Sequence, residues 1–337
     1  MKDIVLSAEY SVFGLENPLF DHVAAVADSV IAAVGAPKGT MNLVDYPQMR
    51  RVLGLAGQYR SLPGGSAANT VRAIACLSRA GAVPPPAYSG AVGCDPQGEE
   101  YERLLASAGV VTRLACKQQP TGCSVILVTP DRERTMFTFL GACREYTPED
   151  LDRELLGSSR YLYLTGYMWD TENQKQAALA AGVTALRAGV RVAFDLADPY
   201  AVRRYREQYL SWIPAHVEVL FGNREEFRLL LGEGLDDGEL AALAGELAPQ
   251  AVMKIGAGGC LVNFFGQVSR IEGFPVRTVD TTAAGDCFAA GYLYGQLRGF
   301  SAERSARLAN RLASWIVTVE GCDLEHLDPA EVLRSSG

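Results

Sequence analysis

The strongest constraint on the fold is a strand–helix alternation that repeats through the middle of the chain. The apolar runs YLYLTG (161–166), RVAFDL (191–196) and VEVLFG (217–222) are each followed by a helical pattern: NQKQAALAAGVTALRAG, PYAVRRYREQYLSWI and REEFRLLLG. Continuously apolar strands separated by amphipathic helices form βαβ units, which build a parallel sheet covered on both faces. The middle of the chain therefore reads as an α/β core.

Two regions break this rhythm. Residues 116–142 hold two β-rich runs around the turn-forming Pro130-Asp131, the pattern of a hairpin. Residues 12–62 mix short strands with Gly, Pro and Asn and are expected to carry no long helix beyond roughly Val23–Val34. Segments near 12–24, 38–62 and 116–142 are expected to form a small β-rich lid on a single domain spanning 1–337.

Charge and composition exclude several function classes. A net charge of −8 and a pI near 5.1 speak against a nucleic-acid partner, which calls for a basic stripe. The cluster Arg203-Arg204-Tyr205-Arg206 reads as a solvated helix face. No apolar run is long enough to span a bilayer, and MKDIVLSAEYSVFGLENPLF does not resemble a secretory signal, so no membrane partner and a cytoplasmic location are expected. Eight cysteines without a C-x-x-C pair, beside three histidines, predict neither a zinc site nor a disulfide framework. In apolar contexts such as AIACLS they read as buried thiols, which suits a reducing compartment.

The stretch VDTTAAGDCFAAG (279–291) places Asp286 at the start of a helical run rich in small residues. Asp286 reads either as a helix N-cap or as an acid beside an anion site. In the second reading the amides of Ala283, Ala284 and Gly285 face phosphate oxygens with almost no side chain in the way. Four further stretches also admit two readings. In FGNREE, Asn223 and Glu226 form either a capping box or a pair that holds hydrated magnesium through water. In VMKIGAGGCLV, Gly256 to Gly259 make either a hairpin turn or a nucleotide loop. LPGGSAAN opens a helix with Gly64, Gly65 and Ser66, where capping by Ser66 is the simpler reading and Asn69 is left unexplained by it. In NPLFDH, Asp21 either faces solvent or reaches into a polar site.

Together these stretches resemble the PfkB family of carbohydrate and nucleoside kinases along nearly the whole chain, within it most closely the adenosine-kinase type. The family's D-T-x-G-A-G-D signature appears as Asp280 to Asp286, its Gly-Gly motif as Gly64 to Asn69, its N-x-x-E motif as Asn223 to Glu226, and its S/T-x-G-x-x-G loop as Lys254 to Gly259. ENPLFDH and QPTGC (119–123) are similar to segments of adenosine-kinase-type members, and DRERTMF carries the lid arginine as Arg134. Two positions depart from the pattern: Ala283 stands for the first glycine of G-A-G-D, and Lys254 for the usual Ser or Thr.

The resemblance implies a ribokinase-like three-layer αβα fold with a mainly parallel central sheet and a small lid. It implies transfer of a phosphoryl group from ATP, with Mg2+, to the 5′-hydroxyl of a nucleoside, adenosine foremost. Asp286 would act as general base, with Arg134 assisting from the lid. Asn17, Asp21, Gly64, Gly65, Ser66 and Asn69 would hold the sugar; Asn223, Glu226, Lys254, Gly256 and Gly259 the nucleotide, with Glu226 holding the metal through water. Base contacts are expected near Tyr167 and Met168. A sugar or sugar-acid kinase and a catalytically silent nucleoside binder are the alternative readings, and the chain is expected as a monomer or homodimer.

Overall fold

The computed structural model describes residues 8–81 and 83–334. Its centre is a nine-stranded sheet. Seven strands run parallel, in the spatial order Gln250–Lys254, Val217–Asn223, Arg191–Asp195, Ser159–Thr165, Tyr10–Leu15, Ala87–Gly93 and Val111–Lys117. Cys260–Phe264 and Gln267–Ile271 extend one edge antiparallel. The three sequence-predicted strand–helix units all lie in the parallel part, with helices Glu172–Ala188, Pro199–His216 and Arg224–Leu231 after their strands.

Helices cover both faces, giving two separate cores. One face packs Ser66–Ser78, Ala284–Leu297 and Ala302–Ile316; the other packs Glu172–Ala188, Pro199–His216 and Asp237–Leu247. The small residues after Asp286 serve this packing. A Cβ on Gly291 would stand 2.7 Å from the Ala309 Cα, and one on Gly295 2.6 Å from Ser305 Oγ, so larger residues there would push the two helices apart.

A second, five-stranded sheet has the order Met41–Leu43, Arg134–Phe139, Gly122–Val128, Leu19–Ala25, Arg60–Gly64. The expected hairpin around Pro130-Asp131 is its antiparallel middle pair. Three expectations are corrected. Residues 12–15 lie in the large sheet, because Val12, Phe13 and Leu15 are apolar and buried and suit a strand covered on both sides. The only helix expected in 12–62 is displaced: Leu19–Ala25 is strand, and the helix is Asp28–Val34. A further helix, Tyr46–Ala56, was not expected. Its start is fixed by Asp45 accepting from the Gln48 amide at 2.8 Å, with the Gln48 side chain returning to the Asp45 amide at 3.2 Å.

The cysteines also differ from expectation. Cys94 and Cys116 form a disulfide, with their Cα atoms 5.1 Å apart. Spacing does not reveal this pair. It arises because neighbouring strands set Gly93 beside Lys117, which brings the two cysteines together. The other six cysteines are buried thiols. Among the described residues no helix is long and apolar enough to cross a membrane.

Candidate active site

The carboxyl ends of the parallel strands deliver the polar side chains. Glu16 and Asn17 follow Leu15, Tyr167 and Asp170 follow Thr165, and Asp195, Asn223 and Lys254 end their own strands. The small sheet closes over them, leaving a cavity of about 550 Å3. Open α/β sheets place ligands outside these strand ends.

Asp286 is at the floor of that cavity, and it is not a helix cap. The helix N-cap is Ala283, which makes no side-chain cap, and Asp286 is the third helical residue. Its carboxylate takes Ser66 Oγ at 2.6 Å on Oδ1 and Asn69 Nδ2 at 2.9 Å on Oδ2. Burial raises its pKa to about 6, against the lowering by those two donors. Ser66 is likewise no cap: Gly65, at φ 94°, occupies that position, and the Ser66 hydroxyl is spent on Asp286.

The helix start meets the requirements of an anion site. Asp280 folds the preceding loop, its Oδ1 accepting from the Thr282 amide at 2.9 Å and hydroxyl at 2.6 Å and its Oδ2 from the Gly321 amide at 2.8 Å. Ala283 then takes φ 59° and ψ 13°, a left-handed conformation that explains why glycine is usual at this place. Among the described residues the amides of Gly285 and Asp286 find no acceptor, as in an unfilled first helical turn, whereas the Ala284 amide, expected to face the anion, donates to the Thr281 carbonyl at 3.3 Å because the loop turns there.

Lys254 and Asp195 were not paired by sequence reasoning. Lys254 Nζ lies 2.8 Å from Asp195 Oδ2, with the two side chains 17% and 3% exposed. Burial pulls the ammonium's pKa down, but Asp195 and Glu226 outweigh it and hold Lys254 charged. The ammonium would also stand 3.3 Å from a Cβ on Gly285, so it borders the start of the 284–297 helix. Asn223 and Glu226 do form the capping box, with the Asn223 amide on Glu226 Oε2 at 2.7 Å and the Glu226 amide on Asn223 Oδ1 at 2.9 Å. Both residues nevertheless line the cavity.

Asp21 lines the same cavity from the small sheet, and burial lifts its pKa to about 7 while Arg134 draws it down. The glycine at position 64 is explained by close approach, since any Cβ there would collide with the Asp21 carboxylate. Gly65 is similarly pinned against the Asn17 carbonyl. Asn17 is buried and accepts a hydrogen bond from Gln174. Arg134 lines the cavity at the edge nearest the loop, its guanidinium 3.8 Å from Asp280 Oδ1. Tyr167 lines the cavity, whereas Met168 turns into the core behind it, so one of the two expected base contacts is absent.

Two features escaped sequence reasoning. Glu16, fully enclosed, accepts from the Ala67 amide and from Thr165 Oγ1, each at 2.6 Å, and so anchors the helix that carries Ser66 and Asn69. Burial pushes its pKa to about 8. A second cavity, of about 430 Å3, is lined by apolar groups including Phe274, Val276, Phe288 and Val317. It meets the first at Lys254, Gly256, Ala284 and Gly285. Gly256 and Gly259 sit in the hairpin turn at its rim with φ 65° and 89°. The sequence marked its rim, at Lys254, Gly256 and Gly259, but not its apolar walls, which come from a loop and two helices.

Residues 28–328 match the pfkB family of carbohydrate kinases. The chain is 31% identical over 282 residues to a fructokinase from Escherichia coli, covering 79% of this chain and 89% of that protein. Its structure aligns with adenosine kinase from Sinorhizobium meliloti at a TM-score of 0.90 and 31% identity, over 98% of this chain and 100% of the other. It aligns equally, at 0.90 and 28% identity, with a probable sugar kinase from Rhizobium etli CFN 42, over 98% and 99% of the two chains. The chain belongs to the pfkB family and has its ribokinase-like α/β fold. It is an ATP-dependent phosphotransferase that acts on a hydroxyl group of a carbohydrate or nucleoside.

Proposed function

We propose that this kinase phosphorylates the 5′-hydroxyl of a nucleoside, with adenosine as the substrate its site fits best. The observation that carries this reading is the face of the small sheet that roofs the cavity. Asp21, Ser124, Thr138 and Leu43 form one cross-strand row, and Ile126, Met136 and Met41 form the next. The roof thus runs from a polar row at Asp21, Ser124 and Thr138 to apolar Leu43 and the adjoining Ile126, Met136 and Met41, over three strand spacings or about 14 Å. A free sugar fills the polar end alone; a nucleoside fills both, its base against Ile126, Met136, Met41 and Leu43.

In this arrangement Asp21 accepts the ribose hydroxyls, with Asn17, Gly65 and Asn69 beside it, and fixes the 5′-oxygen toward Asp286. The adenine of ATP occupies the apolar cavity under Phe274 and Val276, which directs its phosphates to Lys254 and the free amides of Gly285 and Asp286. Asp286 takes the hydroxyl proton as the oxygen attacks the γ-phosphorus, and the bond to the departing ADP oxygen breaks. The helix-start amides, Lys254 and Arg134 stabilise charge on the transferring group.

The donor set fits magnesium held at a distance. Among the described residues no cluster of three acidic, His or Cys side chains forms a direct ligand shell, and Glu226 is already engaged by Asn223. Glu226 and Asn223 would therefore hold a hydrated Mg2+ through its waters, where the ion neutralises phosphate charge.

The test is a turnover assay, with ADP release as readout, across adenosine, inosine, guanosine, cytidine, ribose and fructose. The reading expects a nucleoside to exceed both free sugars at least tenfold in kcat/KM. Ribose or fructose as the best acceptor would overturn it, and absence of turnover on every acceptor would favour a silent binder.

A further inference from the structure

At the apolar end of the acceptor cavity stands a carboxylate that neither the catalytic arrangement nor the sugar contacts use. Asp170 follows the 3-10 turn Gly166–Trp169 and lines the main cavity. It also borders a side chamber of about 110 Å3 that it shares with Met41, Leu43 and Arg204. Met41 and Leu43 belong to the edge strand farthest from Asp21, so Asp170 lies at the opposite end of the cavity from the sugar site.

The two oxygens of Asp170 are in different circumstances. Oδ1 faces Arg204 Nη1 at 3.3 Å and Tyr205 Oη at 3.4 Å, both on the Pro199–His216 helix. Oδ2 has no partner among the described residues, and the side chain is only 8% exposed. Arg204 borders the side chamber while its side chain stays 54% exposed, and Arg203 and Arg206 are exposed beside it, so the 203–206 cluster is the solvated helix face read from the sequence. Burial lifts the Asp170 pKa to about 6, which leaves the group ionised at neutral pH and an acceptor only.

We infer that Asp170 is a specificity-determining residue whose Oδ2 accepts a hydrogen bond from an N–H on the edge of the substrate's base, the exocyclic amine in the case of adenosine. This rests on the nucleoside reading of the cavity. A buried acceptor left unpaired by the wrong ligand costs binding, and so favours bases that present a donor at this end. Arg204 and Tyr205 fix the direction of the free oxygen.

Two substitutions test this. Wild-type enzyme is expected to prefer adenosine over purine riboside, which lacks the amine, by about 10- to 100-fold in kcat/KM. Asp170→Ala is expected to bring the two within about threefold by lowering adenosine alone. Asp170→Asn gives its oxygen to Arg204 and Tyr205 and turns its amide N–H into the cavity. It is expected to shift preference toward inosine, which presents a carbonyl at that edge, by tenfold or more. Equal use of adenosine and purine riboside by the wild type, or an equal loss of both in Asp170→Ala, would overturn the assignment while leaving the nucleoside reading standing. Turnover of ribose or fructose with no nucleoside accepted would overturn the nucleoside reading itself.

Discussion

Ser66 Oγ donates to Asp286 Oδ1 across 2.6 Å, although 220 positions separate the two residues. The contact joins two helix starts face to face, one carrying Ser66 and Asn69 and the other the proposed anion site. It also tunes the proposed base, because a donor to the charged form opposes the rise that burial imposes.

The pH profile follows from that balance. Asp286 works as a base only when ionised, so kcat/KM should fall as pH drops through about 6. Removing the donor in Ser66→Ala favours the protonated form and should move this limb upward by about one pH unit. Measured kcat/KM between pH 5 and 8 checks this; an unmoved limb would assign it to another group.

Ala283 pays for its left-handed backbone with about 1–2 kcal/mol of strain. Ala283→Gly relieves it but costs roughly 0.5–1 kcal/mol in unfolded-chain entropy. The strain term is larger, so a net gain of about 0.5–1 kcal/mol in urea unfolding is expected. A loss of stability would show that the conformation is not strained.

The Lys254–Asp195 pair gives a double test. Lys254→Met leaves the 3%-exposed Asp195 charge without its partner, and breaking a buried pair costs about 3–5 kcal/mol. Adding Asp195→Asn should restore most of that stability, while the KM for ATP stays raised because the phosphate-side cation is still missing. Recovery of both stability and KM would confine Lys254 to a structural role.

What could be read in advance depended on how local each cause was. The βαβ core and the 122–139 hairpin were legible because strand pattern and turn residues sit beside each other in the chain. The Tyr46–Ala56 helix had a legible start, Asp45 with Gln48 three residues on, which the Gly, Pro and Asn around it obscured. The partners of Asp286, the Lys254–Asp195 pair and the Cys94–Cys116 disulfide were not legible, since each is made by strands and helices meeting far apart in sequence. Glu16 looked like one more residue before NPLFD; only its enclosure by Ala67 and Thr165 shows what it holds. The cavity under Phe274 and Val276 likewise exists only once the 273–278 loop lies against helices 284–297 and 302–316.

The most direct measurement is turnover and adenosine binding by Asp286→Asn. The amide keeps an acceptor for Ser66 or Asn69 but takes no proton, so adenosine affinity should stay within a few fold while kcat falls by about 10²–10⁴. A variant that binds adenosine and turns over at near wild-type rate would contradict the role of Asp286 as the base that accepts the hydroxyl proton.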